Sequence, residues 1–243
     1  LLMKRLKLTL DYDGSGLVGW QEQADGPSVQ GHLISAVREM TGEAVAPYAA
    51  GRTDAGVHAT GQVCHIDLTT EKASALPLIR YLDGLNRLTP PAIQVTRVAH
   101  VSEDFHARFS AVARSYTFLI FNRRVASPLW DGRAVHIRKP LDMDAMARAA
   151  EPLTGELDCE AFRSSDCTAE HARCFFHHVR LARPADHVIA IHLKANRFVH
   201  NMVRILAGTL VDIGAGRRPE ATIADALAHR DRTRVGQTLP PHG

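Results

Sequence analysis

The segment KRLKLTLDY, residues 4–12, is the clearest structural signal in the chain. Its apolar side chains occupy every second position, and charged or polar side chains lie between them: Leu6, Leu8, Leu10 and Tyr12 form the apolar set. A period of two is typical of a β-strand with one buried face. We therefore expect a first strand over 4–12.

Further helices and strands are predicted after this strand, and together with it they form one structural unit. Ser28 is positioned to cap a helix whose apolar residues are Val29, Leu33, Ala36, Val37 and Met40. Strands are predicted over 43–50, 61–69 and 91–101, and a second helix over 76–88. The order β-α-β-β-α-β is that of the split βαβ, or ferredoxin-like, unit.

The pattern restarts after Phe105. It predicts strands over 111–121, 172–182 and 187–194, and helices over 142–150, from about 199, and over 220–229. The helix from 199 has an apolar stripe: Val199, Met202, Val203, Leu206, Leu210 and Ile213. We expect an α+β protein of two ferredoxin-like units with mainly antiparallel sheets, residues 1–105 and 106–243. The second unit is expected to lack its closing strand, because none is predicted after 220–229.

Composition limits the class of protein. The 243 residues are 45% hydrophobic and 23% charged, as in ordinary globular domains. No apolar run approaches the roughly 18 residues of a membrane span, and four cysteines are too few for a disulfide framework. Residues 1–104 carry 9 Lys/Arg against 12 Asp/Glu, whereas 105–243 carry 20 against 14. We expect a cytosolic protein with reduced thiols and no membrane association, whose basic second half faces a polyanion.

The segment Gly51–Ala59, GRTDAGVHA, carries the strongest chemical signal. Two glycines, a guanidinium, a carboxylate and an imidazole lie within eight residues, in a loop between predicted strands. The same composition fits a plain strand connection in which Asp54 forms an Asx turn, Arg52 is solvated and His58 is structural. Composition alone leaves both interpretations open.

As a whole string, GRTDAGVHA resembles the signature of the TruA family of tRNA pseudouridine synthases. Other segments in family order resemble its opening motif, first helix, crossover and last long helix: Asp11–Ser15, Gly19–Gln21, Ser28–Gln30, Phe105–Phe109, Arg114–Tyr116 and Phe198–Arg204. The family fold has an active-site cleft between two units. The family usually continues past a Pro-His-Gly-like segment into a further strand, and this chain stops at Pro241-His242-Gly243.

The resemblance implies isomerisation of uridine to pseudouridine at positions 38, 39 and 40 of the tRNA anticodon stem-loop. No net redox change or hydrolysis occurs, so no cofactor and no metal is expected. The resemblance assigns catalysis to Asp54, Tyr116 and Arg204. Asp54 attacks C1′ or removes a C2′ proton, Arg204 favours its ionised form, and Tyr116 stacks on the uracil.

Further residues are implied in substrate binding: Arg52, His58, Arg108 and Arg114, together with Tyr116. The resemblance also implies a tRNA partner and a homodimer. When the resemblance is set aside, a plainer interpretation fits both residues. Arg204 lies off the apolar stripe of its helix, as a solvated arginine would, and Tyr116 can be a tyrosine of the hydrophobic core.

Two other classes of function are compatible with parts of the chain. One is a non-catalytic tRNA-binding or folding module. The other is a zinc-dependent RNA-processing enzyme built on Cys167, His171, Cys174, His177 and His178. Their spacing matches no common zinc pattern, and successive side chains of a strand over 172–182 would point to opposite faces.

Overall fold

The structure is a computed structural model that describes residues 3–243, and it divides into two compact units, Leu1–Val112 and Ala113–Gly243. The first contains strands β1 (Lys4–Tyr12), β2 (Tyr48–Ala49), β3 (Ala59–Leu68) and β4 (Ile93–Val101), with helices α1 (Val29–Thr41), α2 (Glu71–Ala75) and α3 (Leu78–Leu88). All pairs in its sheet are antiparallel, in the order β2-β3-β1-β4. This is the strand order of a split βαβ unit.

The sequence pattern of β1 has its expected structural result. Leu6, Leu8 and Leu10 are fully buried, and Tyr12 is 4% exposed. They pack with α1 and α3 in one hydrophobic core that includes Leu33. Ser28 caps α1, since its hydroxyl accepts a hydrogen bond from the Gly31 amide at 3.1 Å.

The expected strand over 43–50 forms only at Tyr48–Ala49. The carboxylate of Glu43 instead accepts hydrogen bonds from the amides of Thr69 and Thr70, at 3.0 and 2.8 Å. Pro47 has no amide hydrogen for a strand ladder. This segment is therefore tied to the loop after β3 rather than to a neighbouring strand.

The second unit contains β5 (Arg114–Asn122), β6 (Val135–Ile137), β7 (Gly155–Asp158), β8 (Arg173–Ala185) and β9 (Val188–Ala195). Its helices are α4 (Met143–Ala150), α5 (Met202–Gly214) and α6 (Thr222–His229), with short 3-10 helices at Glu160–Phe162 and Arg232–Arg234. The sheet order is β6-β5-β9-β8-β7, antiparallel except for the β5–β6 pair. The predicted α+β class with mainly antiparallel sheets is confirmed.

Two details of the second unit differ from the sequence patterns. Helix α5 begins at Met202 rather than near 199, because Asn201 adopts a left-handed conformation with φ 60°. The short strands β6 and β7 were not predicted, and β6 pairs in parallel with the end of β5 at Ile120–Asn122. No strand forms after α6 within the described residues, up to Gly243.

Candidate active site

The GRTDAGVHA loop lies between β2 and β3 and rests directly on the glycine-bearing loop that follows β1. A Cβ on Gly14 would lie 2.1 Å from the Val57 carbonyl oxygen, and one on Gly19 would lie 2.5 Å from the Thr53 oxygen. Gly19 also has a φ of +102°, in the region that favours glycine. Both positions thus require glycine for the two loops to approach this closely.

Hydrogen bonds fix the residues that flank Asp54. The Trp20 amide donates to the Thr53 carbonyl at 3.0 Å, and the Gly56 amide donates to the Leu17 carbonyl at 3.3 Å. The Thr53 hydroxyl lies 2.8 Å from the hydroxyl of Tyr12, whose pKa is raised chiefly by burial. The backbone on both sides of Asp54 is thereby held in one arrangement.

Asp54 and Arg52 differ in exposure. Asp54 is half-buried in the middle of the loop, and its own carbonyl accepts from the Val57 amide at 3.2 Å. Arg52 is exposed. The loop therefore presents a partly shielded carboxylate with a solvent-facing guanidinium two residues before it.

His58 contacts the loop after β1. Its Nδ1 lies 3.1 Å from the Gly14 amide nitrogen and 3.0 Å from a carboxylate oxygen of Asp13. A neutral Nδ1 accepts from the amide, whereas a protonated one donates to the carboxylate. In either state, this nitrogen of His58 ties the GRTDAGVHA loop to the loop after β1.

In the second unit, Tyr116 lies on β5 opposite Leu193 and shares a face with Phe118. Its half-buried ring meets that of Phe198 edge to face, with 5.0 Å between the ring centres. Phe198 in turn meets Phe176 edge to face at 5.9 Å. Tyr116 is thus the partly exposed end of an aromatic row whose inner member is buried.

Arg204 lies in the first turn of α5 and is half-buried. Its Nε donates to the Leu239 carbonyl at 2.7 Å, and its Nη1 donates to the Asn201 side-chain oxygen at 2.7 Å. These two bonds set the plane of the guanidinium. The residue is therefore held in place rather than simply solvated.

The segment that carries Leu239 is locked onto α5. A Cβ on Gly208 would lie 1.9 Å from the Gln237 carbonyl oxygen, and the Gly236 amide donates to the buried Thr209 hydroxyl at 2.9 Å. The Leu239 amide also donates to the Arg204 carbonyl at 3.3 Å. Close backbone packing thus positions the residue that orients Arg204.

Arg108 and Arg114, the other two arginines expected to bind substrate, lie in different units. Arg108, in the first unit, is exposed and lies over the ring of Phe109, 5.6 Å from its centre. Arg114 begins β5 in the second unit and donates to the Asn196 carbonyl at 2.7 Å.

The structure also bears on metal and membrane association. Across residues 3–243, no three His, Cys, Asp or Glu side chains are grouped so that they could hold a metal ion. On β8, Cys174 is buried and His177 is exposed, as the alternation of a strand requires. No helix in the described part of the chain is long and apolar enough to cross a bilayer.

Comparison with known proteins identifies the family. A family model described as tRNA pseudouridine synthase matches residues 149–243. The tRNA pseudouridine synthase A of Myxococcus xanthus is 42% identical over 241 residues, which are 99% of this chain and 89% of that protein. The chain belongs to the tRNA pseudouridine synthase A family. Other family members of that name, from Blochmanniella pennsylvanica and Pectobacterium atrosepticum, are 40% and 41% identical over 99% and 98% of this chain, and over 90% and 83% of their own lengths.

In this member of the tRNA pseudouridine synthase A family, sequence patterns missed the residues that hold the candidate side chains in place. Tyr12 and Trp20 fix the Asp54 loop from about 30 to 40 positions away, and Leu239 contacts Arg204 across 35 positions. Asn201 lies within the Phe198–Arg204 motif, but nothing local indicates that its side chain binds Arg204. The only local signal was the set of motif glycines, which are typical of places where two backbone segments pack closely.

Proposed function

We propose that this chain isomerises uridine to pseudouridine in tRNA, with Asp54 as the catalytic carboxylate. The observation that carries this proposal is full-length similarity, because proteins named tRNA pseudouridine synthase A match 98–99% of the chain at about 40% identity. The fixed, half-buried position of Asp54 supports its assignment.

The proposed reaction starts at the ribose of the target nucleotide. The Asp54 carboxylate attacks C1′ or removes the C2′ proton, and the N1–C1′ bond breaks as the uracil leaves with the bonding electrons. The base rotates, and C5 forms a bond to C1′ as the ester bond between Asp54 and C1′ breaks or, on the other route, as Asp54 returns the proton to C2′. The proton on C5 is then lost and N1 gains one, so the product is an isomer of the substrate.

The loop geometry supports two different roles for its charged residues. Arg52 is exposed and can contact the RNA phosphates on either side of the target nucleotide. Asp54 is partly shielded from water, which strengthens its interaction with the reacting ribose. We assign His58 to holding this loop rather than to the chemical step, and the hydrogen bond that its Nδ1 accepts from the Gly14 amide supports this role.

The packing of the second-unit residues supports the roles that we propose for them. The Tyr116 ring, supported edge-on by Phe198, offers a surface on which an unstacked uracil can rest. Arg204 supplies a fixed positive charge, and we assign it to stabilising the ionised carboxylate. Arg108 and Arg114 are proposed tRNA contacts.

We further propose that the targets are the uridines at positions 38, 39 and 40 of the anticodon stem-loop, and that the enzyme works in the cytoplasm as a homodimer. Mass spectrometric mapping of pseudouridine in tRNA from a strain lacking the gene tests the positions. Native mass spectrometry tests the oligomer, and detection of a 27 kDa species alone would contradict the dimer.

Asp54→Asn tests the central assignment, because the amide keeps the shape but cannot act as a nucleophile or base. Pseudouridine formation should be abolished while tRNA affinity and thermal unfolding stay near wild type. Asp83→Asn, the same change at an exposed position of α3, is the matched control and should be fully active. Undiminished turnover by Asp54→Asn refutes the assignment. A wild-type protein that binds tRNA but forms no pseudouridine is instead a non-catalytic binding module.

A further inference from the structure

The second-unit sheet has one face that its helices do not cover. Phe118, Ile191 and Phe176 point from β5, β9 and β8 into the core that contains α4 and α5. The alternate side chains of the same strands point to the opposite side. There, cross-strand pairing forms two rows, Thr117–His192–Arg180 and Ser115–Lys194–His178. We call the five polar residues Thr117, His178, Arg180, His192 and Lys194 the outer basic face.

The two ends of this side of the sheet differ. Towards the end of β5, Phe121 and Val188 are buried in a small apolar cluster with Ala134, and Leu119 and Trp130 pack against it. The loop before β6 thus covers that end. The outer basic face occupies the other end, where Thr117 and Arg180 are exposed and His178, His192 and Lys194 are half-buried.

Basic groups are concentrated on this face. The pKa of His178 is lowered by burial and by the charges of Arg180, Lys194, His177 and His192. His192 is held by its Nδ1, 2.9 Å from the Thr117 hydroxyl oxygen.

Carboxylates lie on the adjoining strand, further along the sheet. On β7, Glu156 is opposite Phe175, and Asp158 is opposite Arg173 and also pairs with Arg230 at 3.4 Å. Folding therefore brings cations together on the outer basic face, at an electrostatic cost that a bound anion would relieve.

We propose that the outer basic face binds the sugar-phosphate backbone of the tRNA substrate. Residues two apart on a strand are about 7 Å apart, so the two rows can contact successive stretches of one backbone. The charged side chains of Arg180 and Lys194 can bind phosphate oxygens, and the hydroxyl of Thr117 can donate a further hydrogen bond to one. The five residues of the face include no Phe, Tyr or Trp on which a base could stack, and Phe175, 45% exposed, lies at the margin, so we expect the face itself to contact the backbone.

A second copy of this chain fits the face less well. A two-fold interface brings the same patch of each subunit together, so these cations would meet cations. The identity of the RNA as tRNA depends on the proposed function, whereas the affinity of the face for phosphates does not. The two can therefore fail separately.

The test compares two charge-matched double variants. Arg180→Gln/Lys194→Gln removes two charges from the outer basic face, and Arg148→Gln/Arg217→Gln removes two from the helix side of the same unit. The dissociation constant for unmodified tRNA is measured across a salt series. The first variant should bind about 10- to 100-fold more weakly and reduce the slope of log K against log salt by about 1.5, whereas the control keeps the wild-type slope. The control should retain the wild-type KM and kcat, whereas the loss in the first variant should appear as a raised KM for tRNA.

Two results would overturn the inference: equal tRNA affinity and salt slope in the two variants, or conversion of a dimer to monomers by the first variant alone. Failure of the wild type to make pseudouridine, with binding still lost in the first variant, refutes the proposed function and supports the phosphate-binding face.

The affinity of the wild-type protein for tRNA should also rise as pH falls from 8 to 6. Bound phosphates offset the repulsion that lowers the pKa of His178, so binding takes up protons. Binding that stays constant over this range counts against contact with His178.

Discussion

Replacing Gly19 by alanine should slow pseudouridine formation while the protein remains folded. The new Cβ would lie 2.5 Å from the Thr53 carbonyl oxygen and 3.0 Å from the Asp54 carbonyl carbon. An ordinary contact needs about 3.4 Å, so the loop must move by about 0.9 Å. Because the clash is with backbone at Thr53 and Asp54, the displacement is passed directly to the proposed catalytic carboxylate.

The magnitude has two parts. A φ of +102° costs alanine about 1–3 kcal/mol, and losing the hydrogen bond from Trp20 to Thr53 costs a further 0.5–1.5 kcal/mol or so. The free energy of unfolding should thus fall by about 2–4 kcal/mol. A 1 Å misplacement of a catalytic group costs about 100-fold in rate, so kcat should fall by that order.

Gly16→Ala is the matched control. Gly16 also has a positive φ, +78°, but an added Cβ meets no atom within 4 Å. It therefore suffers the conformational cost without displacing the loop. Urea unfolding measures the stability of both variants, and single-turnover release of tritium from C5-labelled tRNA measures their rates. If the single-turnover rate constant of Gly19→Ala is within about threefold of that of Gly16→Ala, the close approach of the loops does not position Asp54.

Two further predictions concern the packing of the second unit and the loss of stability at acidic pH. In Gly208→Ala the Cβ would lie 1.9 Å from the Gln237 oxygen. The free energy of unfolding should fall by about 2–4 kcal/mol, and kcat should fall at least 10-fold because Leu239 moves away from Arg204. Gly216→Ala, where an added Cβ meets no atom within 4 Å, is the control. An unchanged kcat in Gly208→Ala would show that Leu239 does not orient Arg204. Burial, Arg5 and His106 lower the pKa of His65 to about 4, and its neutral Nδ1 accepts from the Ala107 amide. The unfolded chain binds this proton first, so stability should fall by up to roughly 3 kcal/mol as pH drops from about 6.5 to 4. Urea unfolding at several pH values should show a flatter profile for His65→Phe, and an identical slope would contradict the assignment.

The sequence predicted those elements whose signal is local. Alternation in β1 and the Ser28 cap of α1 both describe neighbouring residues, and the structure has them where the pattern indicates. The strand over 43–50 was overestimated, because Glu43 bonds to residues beyond β3. The start of α5 was placed too early, because the left-handed conformation of Asn201 leaves no mark in the apolar stripe.

The candidate site divides in the same way. Arg52, Asp54 and His58 fall within one nine-residue motif, so the sequence alone placed them together and gave the resemblance to the family. Only the tertiary structure decided that Gly14 and Gly19 lock this loop, and that Leu239 sets the plane of Arg204. Local patterns follow from the geometry of adjacent residues. Contacts between distant segments depend on how buried surfaces pack, and this chain needed both to fix its proposed catalytic groups.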